Sequence, residues 1–135
     1  MALRWNSVVV DSADPRALAH WWAETLDWVV AYEEDDEVGI APRHAQGFDA
    51  EQPADRSRRF PEWTFVPVPE PKTVKDRLHL DLAPARDDDQ DAQVEALLAR
   101  GATRVDVGQH DRGDATWVVL ADPEGNEFCV LSPRD

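Results

Sequence analysis

Lys75-Asp76-Arg77-Leu78-His79-Leu80-Asp81-Leu82 lies just past the midpoint of the chain. From Arg77 onward a charged or polar residue alternates with leucine. A period of two marks a strand with two unlike faces. The alternation predicts a strand over residues 77–82, with Leu78, Leu80 and Leu82 packed on one side. Arg77, His79 and Asp81 then project together from the other. Such a face is either solvated or forms the polar wall of a ligand cavity, and the rest of the chain bears on that choice.

The chain has 135 residues and is 42% hydrophobic, enough to bury the core of one domain over 1–135. No stretch is long and apolar enough to cross a bilayer. Met1-Ala2-Leu3-Arg4-Trp5 leads straight into a strand-like run, without a signal-peptide pattern. The single cysteine excludes an internal disulfide framework. These features predict a cytoplasmic protein. A net charge of −14 repels phosphate backbones and anionic lipid, so neither nucleic acid nor membrane is expected as a partner. Glu33-Glu34-Asp35-Asp36-Glu37 and Asp87-Asp88-Asp89 read as solvated loop and helix-start charges. Five consecutive carboxylates without a glycine turn do not build a calcium loop.

Residues 5–10 read as a first strand. Asp14 suits an N-cap and Pro15 a first helical position. Leu18, Trp21, Trp22, Thr25 and Leu26 form one stripe of a helix ending near Asp27, leaving His20 on the surface. Strands are expected over 28–32, 38–41 and 63–68, separated by an irregular stretch, 42–60, that is long for a compact domain. Pro67-Val68-Pro69-Glu70-Pro71-Lys72 can be neither central strand nor helix and reads as an extended crossover. The order then repeats. Strand 77–82 precedes an acidic helix start, a stripe of Val94, Leu97 and Leu98, and a stop at Arg100-Gly101. Strands over 103–107, 117–121 and 127–131 follow. A polar loop with His110 and the turn Asp122-Pro123-Glu124-Gly125-Asn126 separate them.

Strand, helix, several strands therefore occurs twice, in modules of about 1–70 and 71–135. The expected class is α+β: two tandem βαβββ modules forming a curved mixed sheet, a half-barrel, around a cleft with the helices outside. One helix per sheet leaves one sheet face uncovered, which is where Arg77, His79 and Asp81 are expected to point. The modules pair either within one chain or across a homodimer, since both satisfy the same pattern.

Three segments carry a family resemblance: Asp14-Pro15 opening a helix with Trp21-Trp22, the run from Pro69 through Asp81, and Asp122-Pro123-Glu124-Gly125-Asn126-Glu127-Phe128. Together they resemble the vicinal oxygen chelate superfamily, the group of glyoxalases, bleomycin-resistance proteins and extradiol dioxygenases. More narrowly they resemble its actinobacterial glyoxalase-like members. The resemblance covers the chain apart from 42–60. It implies paired βαβββ modules around a cleft and, in the group's enzymes, a divalent metal held by histidine and glutamate from several inner strands. Carried over, the first-strand ligand position falls on Ser7, or on Asn6 if the register slips. The last strand of the first module offers residues 64–66, without carboxylate or imidazole. The position opening the second module falls on His79, which matches, and the final glutamate position falls on Cys129, which does not. No metal or other cofactor is therefore expected. His79, Cys129 and Asp81, with Glu127 on the same strand face as Cys129, stand as the alternative donor set for a divalent ion.

The resemblance implies a protein that binds a small molecule in its cleft, with Trp5, Ser7, Arg77, His79, Asp81, Glu127 and Cys129 as candidate contacts. Its alternative is a lyase, isomerase or dioxygenase of the glyoxalase kind, with His79 and Asp81 catalytic. A third reading is a structural or partner-binding module using 42–60 or an exposed sheet edge. His79 reads either as a general base, favoured by Asp81 and opposed by Arg77, or as one rung of a buried polar ladder. Cys129 reads as a nucleophile if a cation lowers its pKa, and otherwise as a small buried hydrophobe. Lys72 and Lys75 either attract an anion or pair with the protein's own carboxylates. Of six tryptophans, Trp21 or Trp22 belongs to the core and Trp5 shares a strand face with Ser7, while Trp63 and Trp117 are assigned no face.

Overall fold

The computed structural model describes residue 3 and residues 5–43, 62–107 and 116–135. The chain divides into two compact units, Met1–Pro71 and Lys72–Asp135. The expected loop 42–60 beyond Arg43, and the loop holding His110, lie outside the described residues.

The first unit runs β1 (Ser7–Ser12), α1 (Pro15–Leu26), β2 (Trp28–Glu34), β3 (Glu37–Pro42) and β4 (Glu62–Pro67). Its sheet has the order β1-β4-β3-β2, with β1 and β4 parallel and the other pairs antiparallel. Asp14 caps α1 by accepting from the Ala17 N–H, and Asp27 closes it in the left-handed region at φ 54°. The helix buries Leu18, Ala19, Trp21, Trp22 and Ala23, the stripe expected from its spacing. Trp22 meets Trp63 at 5.5 Å between ring centroids, and Trp63 meets Trp28 at 5.8 Å. Helix and sheet are thus joined by aromatic contacts, each worth about 0.5–1.5 kcal/mol beyond area burial. His20 lies on the surface as expected, its Nε2 2.8 Å from Glu33.

The second unit runs β5 (Leu80–Leu82), α2 (Gln90–Ala99), β6 (Thr103–Arg104), β7 (Val118–Ala121) and β8 (Glu127–Val130). Its sheet order, β5-β8-β7-β6, repeats that of the first unit, again with the first strand parallel to the last. Asp89 caps α2 through the N–H groups of Asp91 and Ala92, and Gly101 leaves the helix at φ 109°. Val94 and Leu97 are buried, as are Leu120, Phe128 and Val130 of the sheet. Asp122, 2% exposed, holds the turn between β7 and β8. Its carboxylate accepts from the backbone N–H groups of Glu124 and Asn126 and from the Asn126 side chain. The α+β class and the tandem βαβββ order stand as expected. Among the described residues neither sheet closes into a barrel.

Two expectations are corrected. The strand predicted over 77–82 pairs only at Leu80–Leu82, and Leu78 is 91% exposed rather than packed. The preceding residues are held by a side chain instead of a backbone ladder, as described below. The strand predicted over 103–107 shrinks to Thr103–Arg104, although the Val105 N–H still donates to the Val119 carbonyl at 3.0 Å.

In the first unit Tyr32 and Gly39 pair across β2 and β3, beside a register shift between Val30 and Tyr32. The Tyr32 ring occupies the space that a Cβ on Gly39 would take. Gly39→Ala is expected to cost about 1–3 kcal/mol through overpacking. In a Tyr32→Ala background most of that cost should disappear. Urea unfolding of the two single variants and the double variant measures the coupling.

Candidate functional site

The site is built on the parallel pairing of β5 with β8. The register sets Leu80 opposite Phe128, Asp81 opposite Cys129 and Leu82 opposite Val130. Successive strand residues point to opposite faces, so Asp81, Cys129 and Glu127 share one face. Val119 of β7 pairs with Cys129 and extends that face. There the unit has a cavity of about 430 Å³, walled by His79, Asp81, Glu127, Cys129, Leu131, Trp117 and Val119, with Lys75, Val107 and Phe128 completing it. The polar positions of the opening alternation thus reach a cavity wall at His79 and Asp81. Arg77 does not: it is exposed in a bend and lines no part of this cavity.

His79 Nε2 lies 3.4 Å from Asp81 Oδ1, with both side chains about half exposed. The Cys129 thiol faces Asp81 from the neighbouring strand. Burial pushes that thiol above its usual pKa, the charge and hydrogen bond of Asp81 push it further, and Lys75 opposes them. Burial and Asp81 thus favour the thiol form, against the direction that the nucleophile reading requires.

Glu127 does a different job from the one expected. Its Oε1 accepts from Lys72 Nζ at 2.8 Å, and its Oε2 accepts from the Asp76 backbone N–H at 3.0 Å. One carboxylate at the start of β8 thereby fastens the irregular approach to β5. Burial alone would raise the Glu127 pKa, but the Lys72 ammonium and backbone N–H groups outweigh it and hold the carboxyl below its ordinary value. Asp76 is raised, first by burial and then by the charge of Glu127, against the pull of Lys72. Of the two lysines whose partners the sequence left open, Lys72 pairs with the protein's own carboxylate, and Lys75 faces the cavity.

The first unit carries the other predicted contacts. Trp5 precedes β1, is 71% exposed and donates its indole N–H to the Ser7 carbonyl at 3.3 Å. Thr64, at a ligand position implied by the family resemblance, is buried, and its hydroxyl has no hydrogen-bond partner among the described residues. Neither Ser7 nor Thr64 brings a charged or imidazole donor, so the glutamate-and-histidine set of the group's enzymes is absent from this chain at those positions. The second unit does hold donors that fit a metal: one ligand atom each from His79, Asp81 and Cys129, all within 4.8 Å of one another. Lys75, for which the sequence left anion contact and internal pairing open, lines the cavity, as does Trp117, to which the sequence assigned no face. Trp117 was identifiable only by counting two residues back from Val119, once β7 was paired.

The comparisons agree with this architecture. Residues 7–131 match the glyoxalase-like domain family. No curated protein sequence matches the chain. Among solved structures, the chain is similar to a glyoxalase/bleomycin resistance protein/dioxygenase family enzyme from Burkholderia phytofirmans PsJN, with 14% identity, 96% of this chain and 98% of that one covered, and a TM-score of 0.66. It is also similar to the fosfomycin resistance protein FosX from Listeria monocytogenes, with 10% identity, 98% and 92% covered, and a TM-score of 0.66. Oxidase ChaP-H2 is 16% identical, with 98% and 94% covered and a TM-score of 0.61. At these identities the likeness is one of fold.

The bonds from Glu127 to Lys72 and to the Asp76 N–H predict a definite acid response. A carboxylate with a depressed folded pKa contributes stability that is present above the ordinary glutamate value of about 4.3 and lost as pH falls through the lower folded value. Asp76 acts in the opposite sense, because its raised folded pKa makes its ionisation cost stability as pH rises. Lys72→Met is expected to cost about 1.5–3 kcal/mol at pH 7, the worth of a hydrogen bond to a charged group. Asp76→Asn, which keeps the backbone N–H donor to Glu127, should stabilise. Glu127→Gln should flatten the fall in stability below about pH 4. Urea midpoints of the three variants across the acid range check all of these signs.

Proposed function

The chain belongs to the glyoxalase-like domain family, and we propose that it binds a small molecule in the cavity of its second unit. The observation that carries this reading is a concave space of about 430 Å³ lined by both polar and apolar side chains. Its volume falls within the range of roughly 300–1,000 Å³ typical of small-molecule sites. Lys75, His79 and Asp81 offer a cation, an imidazole and a carboxylate, while Trp117, Val119 and Leu131 offer apolar contact. The ligand class that fits is a compact molecule with an apolar body and a hydrogen-bonding end. The likeness to a bleomycin-resistance-family enzyme and to a fosfomycin resistance protein is in keeping with capture of a toxic small molecule.

A second reading is favoured by one observation, the His79–Asp81 pair on the cavity wall. A carboxylate beside an imidazole orients it for proton transfer, the chemistry of a lyase or isomerase of the glyoxalase kind. Loss of turnover of a dicarbonyl–thiol adduct on His79→Ala would support it, and unchanged turnover would remove it. Binding precedes either outcome, so the first reading is tested first.

A thermal-shift panel of aromatic, glycopeptide and small anionic compounds tests binding. A compound at 100 times its Kd stabilises the folded state by about 2.7 kcal/mol. Its effect should weaken in Trp117→Ala and in Lys75→Met, and it should change Trp117 fluorescence. The absence of stabilisation by every cavity-sized compound would overturn the proposal.

A further inference from the structure

We infer that Tyr32, Glu37, Glu62 and Thr64 form a site in the first unit for the ammonium head of a small organic amine. The inference does not depend on which molecule the cavity of the second unit takes.

Three features carry it. The first is the sheet face. Trp63 packs against Trp22 of α1, so its strand neighbours Glu62 and Thr64 point away from the helix. Thr64 pairs with Gly39 of β3, and Gly39 pairs with Tyr32 of β2. The Tyr32 ring lies over Gly39 on that same face. Glu37, two residues from Gly39, shares it and accepts a hydrogen bond from the Tyr32 hydroxyl. Burial, then the charges of Glu37 and Glu62, push that hydroxyl up to about 12, with a smaller push from Glu34. The second feature is an unmet hydrogen-bonding group. Thr64 is 5% exposed, and its hydroxyl has no partner among the described residues. It lies between these groups on the shared face, and an N–H donor from a guest would satisfy it.

The third feature is the internal repeat. Glu62 opens β4 as Glu127 opens β8, and each of those strands runs parallel to the opening strand of its own unit. Glu127 accepts from an ammonium, Lys72 Nζ, at 2.8 Å. Glu62 holds the corresponding place, and among the described residues no cation pairs with it or with Glu37. The second unit fills its place with its own lysine; the first offers the same carboxylate to a guest. An ammonium has three N–H donors and no acceptor, which suits Glu62, Glu37 and the Thr64 oxygen. The Tyr32 ring adds the attraction of an aromatic ring for an organic cation.

Nuclear magnetic resonance of the full chain tests the inference. Tyr32 is the only tyrosine, so a tyrosine-specific isotope label gives one ring signal that reports this site alone. The probe is n-butylammonium, the head of a lysine side chain without its backbone. Titrated at constant ionic strength, it should shift that signal and saturate. Glu62→Gln and Glu37→Gln should each weaken its binding by at least about tenfold, the scale of one hydrogen bond to a charged group. Glu33→Gln removes the same charge one residue from Tyr32 and should leave binding unchanged, because Glu33 pairs with Arg16 and His20 of α1. N-Acetyl-lysine amide carries the same head on a peptide backbone and should bind more weakly. An equal response to it would overturn the small amine in favour of a lysine side chain. The wild-type chain alone can sink the site: no saturable shift, or a shift that sodium reproduces, would overturn it. A shift of full affinity in both carboxamide variants would overturn it as well.

Discussion

The second unit depends on a parallel pairing only three residues long. Leu80–Leu82 against Phe128–Val130 determines which side chains meet. A slip of one residue would turn Asp81 to the opposite face and set a leucine beside the cavity. So short a ladder has little intrinsic strength. The register is reinforced from outside it, by the Leu131 N–H donating to the Leu82 carbonyl and by Glu127 gripping Lys72 and Asp76. A carboxylate on the last strand thereby fixes how the chain approaches the fifth.

That arrangement explains how polar groups persist in a partly buried wall. His79 lies 3.4 Å from Asp81, Cys129 hydrogen-bonds to Asp81, and Glu127 pairs with Lys72, so these polar side chains have polar partners. Buried polar groups are tolerable on that condition. On the same sheet the helix start is tied in by another side chain, Gln90, whose amide donates to the carbonyls of Thr116 and Val130. Both ends of the site are therefore positioned by side-chain bonds to strand backbone or strand carboxylate.

Most of the architecture was legible in local patterns. Asp14-Pro15, the stripe from Leu18 to Leu26, and Asp122 through Asn126 each report a short-range rule, and each formed as read. The alternation from Arg77 to Leu82 was read correctly for period but not for extent. Alternation fixes which side chains share a face in an extended chain; it does not say where a partner strand begins. The grip of Glu127 on a proline-flanked segment more than fifty residues upstream has no period to reveal it. Lys75 and Trp117 stayed undecided for the same reason, since their places follow from pairing over distance. The Trp22, Trp63 and Trp28 contacts also needed the β3–β4 register before their faces were known.

The repeated strand order has a consequence for biogenesis. In each unit the opening strand is hydrogen-bonded to the closing one, β1 to β4 and β5 to β8. During synthesis the opening strand leaves the ribosome with no mate, while the antiparallel strands that follow it can begin to zip together as they emerge. It docks only after its unit's final strand has appeared, so each half completes its sheet at its own end and bears an unmated edge until then. The loop to be closed spans nearly a whole unit, which makes this docking the slow, non-local event of the fold.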